Sequence, residues 1–165
     1  MKLTETFLAQ LDAEAARTAR ALAVVPDRPD WKPHDKSMPL SRLARLVATM
    51  PQWFSLVVEK DDLDLSGGNI AANPTATSAQ LVEVHNNAVA DARRALMATN
   101  DELLMKPWRL RLGDRVVSEE PKHVVIRDTF AHLAHHRGQL TVYLRLNDVP
   151  VPAIYGPSAD DQRFL

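Results

Sequence analysis

The sequence predicts an all-α protein, a four-helix bundle with a short β-hairpin between helices three and four. Three observations lead to this prediction. Four stretches carry apolar residues at three-and-four spacing, the period of an amphipathic helix. Segments rich in proline, glycine and aspartate separate them. One short stretch between the third and fourth helices alternates apolar and polar residues, which is typical of a strand.

The first helix is expected from about Thr4 to Val24, with Thr4 as a candidate N-terminal cap. The next segment, residues 25–37, contains three prolines and three aspartates, so an extended connection is predicted there. Trp31 in this connection is expected to pack back on the bundle. The apolar face of the helix comprises Phe7, Leu8, Leu11, Ala15, Thr18 and Leu22.

The second helix is expected to start between Ser37 and Pro39 and to reach about Lys60. Pro51 lies inside it and should bend it, because proline lacks a backbone donor and crowds the preceding turn. Residues 61–76, with paired glycines and an Asn-Pro step, are expected to form a loop. The apolar face of this helix comprises Leu40, Leu43, Leu46, Val47, Met50, Phe54 and Val57.

The third helix should begin at Thr77, because Thr77 and Gln80 have the spacing of a capping box. Residues 108–117 alternate apolar and polar side chains around Gly-Asp, which predicts the hairpin. The fourth helix is expected over 122–147, and the tail has too much proline and glycine to continue it. Helices that each carry one apolar stripe bury those stripes together, which favours a bundle.

The length and the composition of the chain predict one globular domain that spans residues 1–165. The 165 residues are 45% apolar and 25% charged, with a net charge of -1. The even charge balance argues against nucleic-acid binding. Cysteine is absent, which excludes disulfides, thiolate ligands and a cysteine nucleophile. No stretch has the roughly 18 apolar residues of a membrane span, so a soluble, cytoplasmic protein is expected.

Two histidines form the main candidate site. His132 and His136 lie four apart on the fourth helix, so both side chains project from one face. His136 falls within the apolar stripe and His132 lies on its flank. Two imidazoles at this spacing form half of a transition-metal site. The alternative is a pair of core histidines, each satisfied by an ordinary hydrogen bond, and the spacing alone does not separate the two.

The segment HLAHHRGQLTVYLRLNDVPVPAIYGPSADD resembles the C-terminal signature of the DinB-like family. The upstream segment DWKPHDKSMPLSRLARLVATMPQW is similar to the beginning of the second helix in that family. This resemblance implies a four-helix bundle, often homodimeric, in which three histidines hold a divalent ion such as nickel or zinc. His132 and His136 match the two ligands on the last helix. Leu46 occupies the position of the second-helix ligand, so one metal ligand is expected to be lost.

Several residues are candidates to complete or surround the pair. His85 is the favoured third ligand, although a histidine at the core boundary is the commoner situation. His123, Asp128, the C-terminal tail or another subunit are further options. Arg137, Gln139 and Tyr143 are weaker candidates for substrate binding, and structural roles are favoured over it for all three. No catalytic residue is assigned.

Two functions follow from the resemblance and its departure. The first is a divalent-metal-dependent S-transferase that activates a low-molecular-weight thiol such as mycothiol or bacillithiol. The second is a non-catalytic, dimeric small-ligand-binding or stress-response protein that has lost its metal site, which Leu46 favours. A hydrolase that uses metal-bound water is a third, weaker possibility.

Overall fold

The computed structural model describes residues 2–67 and 76–163. The described chain is mostly helical and carries a small three-stranded sheet. The elements in chain order are α1 (Leu3–Ala23), α2 (Leu40–Thr49), α3 (Gln52–Glu59), β1 (Asp62–Asp64), α4 (Ser78–Ala98), α5 (Asp101–Leu104), β2 (Pro107–Leu112), β3 (Arg115–Pro121) and α6 (Lys122–Leu146). The prediction of an all-α protein was therefore too restrictive.

The first helix is capped from a distant part of the chain. Its N-cap residue is Lys2, and the carboxylate of Asp101 accepts hydrogen bonds from the backbone N–H groups of Leu3 and Thr4. A carboxylate at this end also offsets the positive end of the helix dipole. Thr4 lies inside the helix, so its expected role as the cap was wrong.

The predicted second helix is divided in two. Met50 and Pro51 separate α2 from α3, because proline cannot donate the backbone hydrogen bond that a continuous helix needs at that point. The third predicted helix, α4, starts as expected. The Thr77 hydroxyl accepts from the N–H of Gln80, and the Gln80 side chain accepts from the N–H of Thr77.

The sheet contains three strands in the order β1-β2-β3. β2 and β3 are antiparallel, and Gly113 between them has a φ of 60°, a conformation that suits glycine. β1 pairs in parallel with β2, with Asp62 opposite Arg109. The sequence predicted a two-stranded hairpin and a loop over 61–76, so β1 is a correction. The rest of that predicted loop, residues 68–75, lies outside the described residues.

The C-terminal end of α6 is closed by a Schellman motif. Asp148 has a φ of 58°, the left-handed conformation. The N–H of Val149 donates to the carbonyl of Leu144, and the N–H of Asp148 donates to the carbonyl of Arg145. The segment after α6 is non-helical through Arg163, as its proline and glycine content predicted.

Two apolar clusters form the core. The first joins α1, α3, α4 and α6 to the sheet, and it includes Phe54, Trp108 and Phe130. The second joins α1, α2, α4 and α6, and it includes Leu22, Leu43 and Leu133. Trp31 packs against this second cluster, as expected. None of the helices in the described ranges is long and apolar enough to cross a membrane.

Candidate metal site

The structure brings the two predicted histidines of α6 together. The Nε2 atoms of His132 and His136 are 2.8 Å apart, and the ring centroids are separated by 4.6 Å. His136 is buried, whereas His132 is exposed to solvent. Because the two residues lie one helical turn apart, the backbone of α6 places both side chains on one face.

The hydrogen bonds around His136 define which of its nitrogens carries the proton. Nδ1 of His136 lies 2.8 Å from Oε1 of Gln139. A carbonyl oxygen only accepts, so Nδ1 donates, and the Nε2 of a neutral His136 then keeps its lone pair. Nε2 of His132 must donate to that lone pair. Gln139 thus prepares the Nε2 atom of His136 to accept a proton or bind a metal ion.

The surroundings of His132 favour its neutral form. Loss of solvent on the side of the ring that faces the helix, followed by repulsion from His136 and His135, lowers the pKa of His132 below its ordinary value. A lower pKa keeps the imidazole in its neutral, singly protonated form at pH 7, and metals bind the neutral rather than the cationic ring. The ring of His135 stands edge-on to that of His136, with the centroids 5.0 Å apart, but His135 itself is exposed.

Leu46 and His85, the two positions considered for a third ligand, lie on different helices. Leu46 is partly buried on α2 and packs against the second apolar cluster, so it supplies no donor atom. His85 is fully buried on α4, and its Nε2 lies 3.2 Å from the carbonyl of Ala15 on α1. Burial is the main cause that lowers the pKa of His85. Its Nδ1 has no hydrogen-bond partner in the described part of the chain.

The other candidate ligands have local partners. His123 bonds through Nδ1 to the carbonyl of Leu104, and Asp128 pairs with the neighbouring Arg127. Within residues 2–67 and 76–163, no three histidine, cysteine, aspartate or glutamate side chains are grouped closely enough to hold a metal ion. The described residues therefore bring together two of the sequence-predicted ligands.

Arg137 faces the first helix. Its guanidinium is 1% exposed, forms an ion pair of 2.6 Å with Glu14, and donates to the hydroxyl groups of Thr18 and Tyr155. Glu14 was not predicted as a partner of Arg137. A signal was present, because Glu14 lies three residues after Leu11 and four before Thr18, within the apolar stripe of α1.

Tyr143 connects α6 to the segment before α2. Its hydroxyl donates to the carbonyl of Met38 at 3.2 Å, and its ring meets Trp31 edge to face, with the centroids 5.3 Å apart. This arrangement occupies the hydroxyl with the backbone. Gln139 is thus the one member of the predicted substrate-binding set that bonds directly to an imidazole of the pair.

The two imidazoles fit part of a metal site. Nitrogen ligands about 2.0–2.1 Å from one tetrahedral ion lie about 3.3 Å apart, so a small opening of the ring pair would admit the ion. His132 would first have to release its Nε2 proton or move it to Nδ1. Two nitrogen donors leave the remaining coordination positions to water, a small ligand or a further protein group.

Known proteins share the fold and the family of this chain. The model of the DinB family matches residues 2–163. A solved DinB-like protein from Bacillus cereus ATCC 10987 is 22% identical, with a TM-score of 0.71 over 92% of this chain and 97% of its own. The DinB-like protein YjoA from Bacillus subtilis is 16% identical, with a TM-score of 0.67 over 87% and 92%. No curated protein matches the chain. The family match spans almost the entire sequence, and the chain therefore belongs to the DinB family.

Proposed function

We propose that this DinB family member binds a divalent ion, nickel or zinc, through His132 and His136 and acts as a thiol S-transferase. The single observation that carries the proposal is the convergence of the two Nε2 atoms, with Gln139 bonded behind one of them. The proposal includes the finer features that the resemblance implies, namely a four-helix-bundle arrangement, a homodimer and a cytoplasmic location.

Each residue of the pair has a distinct part in the proposed activity. A bound divalent ion lowers the pKa of a coordinated thiol and so supplies a thiolate nucleophile at neutral pH. Gln139 holds Nδ1–H of His136 and keeps Nε2 available. His132 faces solvent, which leaves a route for a small molecule to approach the pair. Because the chain has no cysteine, the thiol must come from a cosubstrate such as mycothiol or bacillithiol.

Metal binding tests the proposal directly. The wild-type protein, purified without chelator, is expected to contain close to one nickel or zinc ion per chain, and added metal should raise its melting temperature. His136→Ala should lose both effects, because it removes one of two donors. His135→Ala is the matched control, since it removes an exposed imidazole from the same turn of α6 and should leave metal content unchanged.

A second candidate function rests on the placement of Leu46. A partly buried leucine, at the position where the family resemblance expects a ligand, suits a pocket for an apolar ligand better than a third metal bond. In that case the protein is a non-catalytic small-ligand-binding protein. Metal-free wild type and a melting temperature indifferent to nickel and zinc would favour this function over the transferase. Leu46→His should raise metal affinity in either case, because it restores a third donor.

A further inference from the structure

Four arginines gather where the C-terminal segment lies against α1. Arg17 and Arg20 are three residues apart on α1, Arg137 comes from α6, and Arg163 comes from the C-terminal segment. Arg17 and Arg137 both lie over the ring of Tyr155, at 4.7 and 5.1 Å from its centroid. Arg20 and Arg163 are linked through Ala153 and Asp161, and the charges of the other three arginines lower the pKa of Arg20, after the larger effect of burial. These guanidinium groups therefore repel one another across a small, half-buried region.

Two carboxylates pair with three of these arginines. Glu14 forms ion pairs with Arg17 and Arg137, both at 2.6 Å. Asp161 accepts two hydrogen bonds from Nε of Arg163, at 2.9 and 2.8 Å. Four positive charges thus share two paired negative charges, which leaves a local excess of positive charge.

Arg20 is the member without a carboxylate partner in the described residues. Its Nε donates to the carbonyl of Ala153 at 3.2 Å, and the N–H of Ala153 donates to Asp161. In the described ranges neither Nη group of Arg20 has a protein acceptor. The hydrogen bond to Ala153 holds the guanidinium in place, and its two Nη groups remain available for an anion.

We propose that Arg20, flanked by Arg17 and Arg163, forms a binding site for a phosphate group between α1 and the C-terminal segment. A guanidinium fork presents paired N–H donors that match two oxygens of a phosphate. The negative charge of a phosphate group is about equal in size to the positive excess of the cluster, so its binding offsets the repulsion among the arginines. The site shares no residue with the His132 and His136 pair, and it goes beyond the proposed function. Inorganic phosphate and a small phosphate ester share this chemistry.

The test is a titration of chelator-treated protein with inorganic phosphate at constant ionic strength, followed by NMR chemical shifts and melting temperature. The wild type should show a saturable response. Arg20→Gln should bind about tenfold more weakly, because it loses a charge-assisted contact worth roughly 1.5 kcal/mol. Arg94→Gln is the matched control, since Arg94 is exposed on α4 and, within the described part of the chain, pairs only with Asp91. It should bind as the wild type does.

The outcomes separate the ligand sources and the alternatives. Tighter binding of glycerol 3-phosphate than of inorganic phosphate would assign the site to phosphate esters, and equal binding would assign it to the free ion. A non-saturable response, or an equal response in Arg20→Gln and Arg94→Gln, would overturn the proposal, because phosphate also stabilises proteins by exclusion from their surface. His136→Ala should keep the phosphate response, so failure of the metal proposal would leave this one standing.

Discussion

The buried ion pair between Arg137 and Glu14 joins α6 to α1. Both side chains are almost completely buried, at 1% and 6% exposure. Removing one partner leaves the other charge buried without full compensation, so Arg137→Met should lower the free energy of unfolding by about 3 kcal/mol. Urea denaturation measures this change.

Arg17→Met is the control for Arg137→Met, because both arginines pair with Glu14. The Arg17 side chain is 30% exposed, and its pairing with Glu14 is weakened by solvent, so its loss should cost no more than about 1 kcal/mol. Equal losses in the two variants would contradict the importance assigned to the buried pair.

The sequence showed the histidine pair but not this ion pair. His132 and His136 are four residues apart, and helical periodicity alone brings them onto one face. Glu14 and Arg137 are separated by 123 positions, and their contact depends on how α1 packs against α6. A single sequence indicates that a carboxylate lies within an apolar stripe, but it does not name the cation that compensates for it.

At the scale of elements, the end of α6 allows a stability prediction. Asp148 adopts the left-handed conformation, which strains side-chain-bearing residues and which glycine adopts freely. Asp148→Gly should therefore raise the free energy of unfolding by up to about 1 kcal/mol, whereas Asp148→Ala should lower it by a similar amount. Thermal melts of both variants test this. Identical shifts for glycine and alanine would contradict the role given to backbone conformation.

Local sequence patterns predict some elements of this fold and miss others. Thr77 and Gln80 specify the start of α4 by their own side chains, so the sequence located it correctly. β1 was missed because its three residues, Asp-Leu-Asp, carry too short a pattern to indicate a strand. Its formation depends on parallel pairing with β2, far along the chain, and non-local pairing leaves no signal in a short window.

At the scale of the whole molecule, His85 lies where several helices meet. It belongs to α4, bonds to the carbonyl of Ala15 on α1, and lies near Arg137 of α6 and Ala48 of α2. The sequence indicated that His85 borders the core. It did not indicate full burial, because the closeness of three other helices sets the depth of this position.

This position predicts how stability depends on pH. Burial lowers the pKa of His85 in the folded protein, whereas the unfolded chain keeps a value of about 6.5. Below that pH the unfolded state binds more protons than the folded state. The contribution of His85 to the free energy of unfolding is therefore complete above about pH 6.5 and should fall as the pH decreases toward the pKa of the folded state. His132, whose pKa is also lowered, contributes in the same direction.

Urea denaturation of chelator-treated protein from pH 8 to pH 5 should show this decrease in the free energy of unfolding. His85→Gln, whose amide can still donate to Ala15, should reduce the slope while the part due to His132 remains. An unchanged slope would mean that His85 has the same pKa in the folded and the unfolded protein, which would contradict its burial among the helices.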